Sequence, residues 1–171
     1  GLAYVFAVLI WGIGKPVSEK DTTTTIGYVI PDSPAEKAGL YAGDVLRKIN
    51  DTEVTRWSGI GDAVTWQIVS STGESIPLEI ERSGQTMILD PNPEKQDAEW
   101  YKRGNLRQLQ IAPFQTPLVA NVEEHSPAAI AGIKANDIIK KVDGLDIYHP
   151  RELSKAIENQ PDKEMILKVE R

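Results

Sequence analysis

Two histidines, His125 and His149, and the lack of any cysteine narrow the chemistry open to this chain. Hydrolysis with zinc would need His-Glu-x-x-His on one helical face plus a further carboxylate ligand, to hold the ion and polarise a water. Neither histidine begins that pattern. His125 precedes Ser126-Pro127 and His149 precedes Pro150, so both read as turn or surface residues beside a helix start. Ser33 and Ser126 are nucleophiles by type, but no Gly-x-Ser-x-Gly elbow surrounds either, and helix capping accounts for both. Without cysteine there is no thiol nucleophile, thiolate metal site or disulfide framework. No catalytic residue, metal ligand or cofactor is assigned to this chain, which leaves binding as its chemistry.

Composition restricts what is bound. The chain has 171 residues, 40% hydrophobic and 26% charged, with a net charge of -6 and a pI near 5.0. Nucleic-acid binding relies on clustered Lys and Arg that release counterions, so no nucleic-acid partner is expected. The length fits one ordinary domain or two small ones.

The elements that would position a binding surface come from an internal repeat. "SPAEKAGLYAGDVLRKIN" at 33–50 returns as "SPAAIAGIKANDIIKKVD" at 126–143, an offset of 93 with eight of eighteen positions identical. Ser33 and Ser126 suit the N-cap of a short helix, with Pro34 and Pro127 at its first position, where a missing donor costs nothing. Gly39 and Gly132 fall just past the last helical residue, where a left-handed backbone is cheap only for glycine. The turn residues Gly43-Asp44 and Asn136-Asp137 then lead into apolar strands at 45–49 and 138–142.

The flanks extend the same unit. An amphipathic helix is predicted from Asp62 to Ser71 with Val64 and Ile68 facing a core, and its counterpart behind Pro150 carries Leu153, Ala156 and Ile157. Strands follow at 75–82 and 163–171, and Ser83-Gly84 turns the first of them into "QTMILDP". The second copy would then lack its final strand. "PNPEKQDAEWYKRGN" reads as a polar linker. The expected organisation is an apolar segment at 1–14, a first unit at 15–91, a linker at 92–105 and a second unit at 106–171.

The repeated Ser-Pro-Ala-x-x-Ala-Gly-[Leu/Ile]-x-x-x-Asp, with its flanking strands and following helix, resembles the PDZ family in its circularly permuted bacterial form. The resemblance implies an α+β, mostly β fold: two partly open barrels, each with two helices. It also implies β-augmentation, in which an extended peptide pairs with a strand edge beside the longer helix. The loop and strand expected to do this in the second unit are Leu106, Arg107, Gln108, Leu109, Gln110 and Ile111, facing Leu153, Ala156 and Ile157. "LRQL" has no glycine to gather backbone N–H groups around a carboxylate, which leaves an internal peptide or an empty groove. The first unit's corresponding segment, Lys15 to Thr25, offers no loop motif.

The run Leu2–Ile13 is shorter than the roughly 20 residues that span a bilayer. It reads either as a buried element of the first unit or as the end of a membrane helix, and Gly14, Lys15 and Pro16 favour the second. Two such units behind "VFAVLIWGIGKPV" look like the insert of bacterial site-2 proteases, membrane-embedded zinc metalloproteases. That likeness implies zinc in the parent protein but not here, and a location on the periplasmic face of the inner membrane. It implies as partners the parent's membrane domain and a peptide or membrane-protein substrate of anti-sigma-factor type, screened by the tandem. The alternatives are a peptide-binding pair of a periplasmic serine protease and a non-enzymatic secretion or scaffold protein.

Overall fold

The computed structural model describes residues 18–95, 107–159 and 164–171. The apolar segment 1–14, positions 96–105 of the expected linker, and Leu106 lie outside the described residues.

In the first unit β1 (Ile26–Val29) leads to α1 (Pro34–Lys37). Ser33 Oγ accepts from Glu36 N at 3.2 Å and caps that helix. Gly39 ends it at φ +84°, a region closed to most side chains. Then come β2 (Val45–Ile49), β3 (Thr52–Glu53), α2 (Val64–Ser70), β4 (Leu78–Arg82) and β5 (Gln85–Leu89), with sheet order β3-β2-β4-β5. Ser83 and Gly84, both at positive φ, close the β4–β5 hairpin in the handedness that matches strand twist. Alternation along β4 buries Leu78 and Ile80, and an irregularity in β2 between Leu46 and Lys48 lets Leu46 and Ile49, three apart, both join the core with Val64 and Ile68 of α2.

Next come β6 (Glu94–Lys95), β7 (Arg107–Gln108) and β8 (Ile111–Pro113). The second unit repeats the first: α3 (Pro127–Ile130) capped by Ser126, β9 (Ile138–Val142), β10 (Leu145–Asp146), α4 (Pro150–Glu158) and β11 (Leu167–Glu170), in sheet order β10-β9-β11. The α+β, mostly β class expected from the sequence is the class observed. Strands at 45–49 and 138–142 and both short capped helices stand where they were expected.

A buried acid ties each unit together. Asp44, 1% exposed, takes Arg82 Nε at 2.6 Å and Nη2 at 2.7 Å, and also accepts from Tyr41 N at 2.8 Å. Arg82 Nη2 also donates to Gly39 O at 2.6 Å, so one guanidinium locks strand β4 onto the end of α1. Asp137 and Arg171 repeat this on Gly132 O. Sequence reading had taken both aspartates as turn residues.

Two expectations fail. The α4 stripe is not core: Leu153 and Ala156 are half-buried and Ile157 is 47% exposed, because among the described residues no strand covers that face. The boundary at 106 is also displaced, since the strand after it joins the first unit. Antiparallel pairing places Ile26 opposite Pro113, Tyr28 opposite Ala112 and Val29 opposite Ile111.

Candidate functional site

Residues 107–113 run along the edge of β1 with Leu109 pointing into the first unit's core, 1% exposed. Ile30 N donates to Gln110 O at 3.1 Å and Phe114 N to Thr25 O at 2.8 Å, extending the ladder at both ends. The strands approach closely at Gly27, where a Cβ would lie 2.3 Å from the Pro113 carbonyl oxygen. Only glycine permits that approach. Gln110 bends the segment at φ +59°, and its amide donates to Glu94 Oε2 at 2.9 Å. β7 in turn pairs with β6, so "PNPEKQ" is in part a strand, and Pro91 is fully buried.

Between this segment and α2 lies a groove of about 230 Å³. One wall is Arg107 to Ile111; the other is Val64, Thr65, Ile68 and Val69, with Trp57 at its edge. Val64 and Ile68 lie four apart on one helical face and give that wall an apolar lining. Arg107 is 9% exposed.

The sequence-based grouping is corrected here. Arg107, Gln108, Leu109, Gln110 and Ile111 face α2 of the first unit, and they do not meet Leu153, Ala156 and Ile157 of α4. The reason is pairing: β1 presents a free edge and a glycine at the right register, and strand addition is decided in space, not by the nearest repeat. In the second unit the positions equivalent to β1, about 119–122, have no paired strand on that side among the described residues. Val64, Ile68 and Trp57 were not recognised as groove residues; the free edge of β1 opposite an apolar helix stripe was the available signal.

A second, larger concavity of about 620 Å³ lies where the units meet, with Tyr28, Leu40 and Tyr41 on one side and Tyr148, Glu152 and Ala156 on the other. Tyr148 packs on the bare backbone of Gly43, where a Cβ would sit 2.8 Å from its ring, and Tyr148 O accepts from Gln115 N at 3.1 Å. Tyr28 stacks at a tilt on His149, their ring centroids 6.0 Å apart. His149 is buried, contrary to the surface reading, and its Nδ1 accepts from Arg151 N at 3.1 Å as the N-cap of α4.

That cap needs a neutral imidazole, and burial, with Arg151 nearby, holds His149 below its ordinary value. A depressed folded value means the contribution is complete above about pH 6.5, the unfolded value, and is lost as pH falls through the folded one. Amides of α4 are therefore expected to lose about 1 kcal/mol of hydrogen-exchange protection between neutral and mildly acidic pH. His149→Asn, which keeps a capping acceptor, should flatten that profile; an unchanged slope would remove His149 as its source.

Among the described residues no group of three or more His, Asp or Glu could hold a metal ion, and no helix is long and apolar enough to cross a membrane.

Comparison with known proteins gives the same repeat. A sequence profile described as the PDZ domain matches residues 25–82 and again 118–171. A Neisseria meningitidis protein named as a zinc metalloprotease is 28% identical over 169 residues, 96% of this chain and 37% of that protein. The regulator of sigma-E protease RseP of Salmonella typhimurium is 26% identical over 178 residues, 98% of this chain and 38% of its own length. A Chlamydia trachomatis protein named as a DegP-like periplasmic serine endoprotease is 28% identical over 156 residues, 82% of this chain and 31% of that protein. The chain thus spans a little over a third of the length of these two metalloproteases.

Proposed function

The chain belongs to the PDZ domain family, and we propose that its two units are the non-catalytic, periplasmic tandem of a membrane-embedded zinc metalloprotease, where they bind or screen substrates for regulated intramembrane cleavage. The observation that carries this reading is the match to sigma-E-type proteases across both units, 98% of the chain. The serine-protease match covers less of it, 82%, and stands as the second reading. In the first reading the zinc and the water it activates belong to the parent, and the substrate resembles an anti-sigma factor.

Peptide binding is assigned to the groove between α2 and residues 107–111. An extended peptide would pair with the outward edge of that segment and set an apolar side chain against Val64 and Ile68. Leu153, Ala156 and Ile157, exposed or half-buried on α4, are assigned the same duty in the second unit.

The parent protease tests this. Removing residues 18–171 is expected to let it cut substrates whose bulky outer domain is still attached. Ile68→Asp, placing a charge in the first groove, should reduce peptide affinity at least tenfold by titration, in line with the cost of facing an unpaired charge with apolar surface. A parent that still rejects uncleared substrates without the tandem rules out screening, and undiminished affinity in Ile68→Asp rules out this groove.

A further inference from the structure

The two units differ at one place that their shared fold leaves unexplained. Val54 N donates to Arg47 O at 3.0 Å and, at the same point of the repeat, Ile147 N donates to Lys140 O at 2.9 Å. From Ile147 the second unit reaches α4 through Tyr148 and His149 alone, whereas the first runs through residues 55–63 before α2 begins at Val64. The added stretch is a closed loop. Asp62 accepts from Arg56 Nε at 3.0 Å, from Arg56 Nη2 and from the Thr55 hydroxyl, which ties the neck. Thr65 N donates to Trp57 O at 3.0 Å and Gln67 Nε2 to Gly61 O at 2.6 Å, fastening the rest to α2. At the tip Gly59 and Gly61, both at positive φ, flank Ile60, which is 74% exposed. A loop the scaffold does not need, built to hold an isoleucine out in water, is a place where binding residues concentrate.

Charge and position identify what it meets. In a chain that is 26% charged, Asp62 is the single charge between Trp57 and Gly73, and Arg56 neutralises it. Trp66, 42% exposed on α2, adds an indole next to the glutamine that holds Gly61. An apolar tip beside a tryptophan, with no unpaired ion to strip of water, suits the headgroup level of a bilayer, where indoles concentrate. The loop is also held near the run 2–13, which lies outside the described residues and reads from sequence as the end of a membrane helix. Trp57 N donates to Lys20 O at 3.0 Å, and the chain from Ile13 to Lys20 reaches about 25 Å at most. Resting on the reading of the parent as membrane-embedded, we propose that loop 57–61 is a bilayer contact, with Ile60 in the interfacial layer and Trp66 beside it. Trp57 stands both in the loop and at the edge of the first groove, so the contact sets that groove at the membrane surface. The tied neck leaves little to order on binding. One isoleucine and one indole anchor weakly, so the loop orients a body that is already tethered.

Because the chain has no cysteine, Ile60→Cys and Ile88→Cys each take a single nitroxide label, Ile88 being an exposed residue of β5 away from the loop. Each labelled 171-residue chain is mixed with phosphatidylcholine vesicles, and the label's access to a water-soluble nickel chelate and to lipid-soluble oxygen is read by spin resonance, with hydrogen exchange in β2 as the control for folding. The label at position 60 is expected to lose the chelate and gain oxygen on binding, while the label at 88 keeps its aqueous access. Ile60→Asp, without a label, should weaken vesicle partitioning about tenfold, the size of one isoleucine returned to water. Vesicle-bound chain whose position 60 stays in water overturns the lipid contact and leaves the loop to a protein surface of the parent, with the reading of the tandem intact. Shielding of positions 60 and 88 alike, or unchanged partitioning of Ile60→Asp, overturns the loop as the point of contact. A chain that does not bind vesicles at all, with β2 protection intact, overturns the contact together with the reading of 2–13 as the end of a membrane helix.

Discussion

Leu109→Ala is expected to destabilise the first unit, and not the second, by about 2–5 kcal/mol, the range for truncating a fully buried leucine. Leu109 lies 27 residues beyond Arg82, the last residue of β4, yet it packs in one cluster with Ile26, Leu46 and Ile68. Its removal leaves a cavity where residues 107–113 clip onto β1, so the groove wall should loosen along with the core. Hydrogen exchange resolves the units: protection at Leu46 and Ile49 should fall while Ile139 and Val142 keep theirs. Loss confined to Ile139 and Val142 would mean that the segment serves the second unit, and the strand pairing described here would be wrong.

Arg82→Ala carries the second large effect, a loss of about 3 kcal/mol in the first unit. The arginine is partly exposed, but Asp44 is not, and the truncation leaves a buried carboxylate with the Tyr41 amide as its remaining donor among the described residues. Arg171→Ala should cost the second unit less, because the Arg171 side chain is 59% exposed against 30% for Arg82, and water already screens its pair with Asp137. Arg171 holds the Asp137 carboxyl below its ordinary value, chiefly by hydrogen bonding. The pair therefore contributes fully above about pH 4 and fades as acid protonates Asp137 through its lowered folded value. Urea titrations at neutral and acid pH measure both effects. Equal losses for the two arginine variants would contradict the difference in exposure.

Much of each unit was legible because its signals are local. Serine before proline caps a helix, a glycine at the next stop allows a left-handed residue, and an apolar run behind a turn makes a strand; each acts within a few residues and recurs at an offset of 93. The Asp44–Arg82 link was legible in principle, since "IER" at 80–82 and "VER" at 169–171 repeat the arginine that meets each aspartate. It went unread because an aspartate in Gly-Asp already had a sufficient local explanation as a turn residue. The misplacement of residues 107–111 has another cause. An edge strand carries no address in its own sequence, and which sheet it joins depends on where a free edge and a tolerant glycine such as Gly27 lie in space. The α4 stripe misled in the same way: its periodicity was real, but periodicity does not say whether a covering strand is at hand.

The placement of residues 107–113 also governs how this molecule can be divided. A fragment ended at Lys95 would keep most of the first unit's sheet while stripping away Leu109 and the companion strand of β1, exposing apolar surface around Ile26. A fragment begun at Leu106 would carry that strand as an idle tail. Between that strand and the second unit run the four residues from Phe114 to Pro117, where Phe114 N donates to Thr25 O of the first unit and Gln115 N to Tyr148 O of the second, so one short span is fastened at both ends.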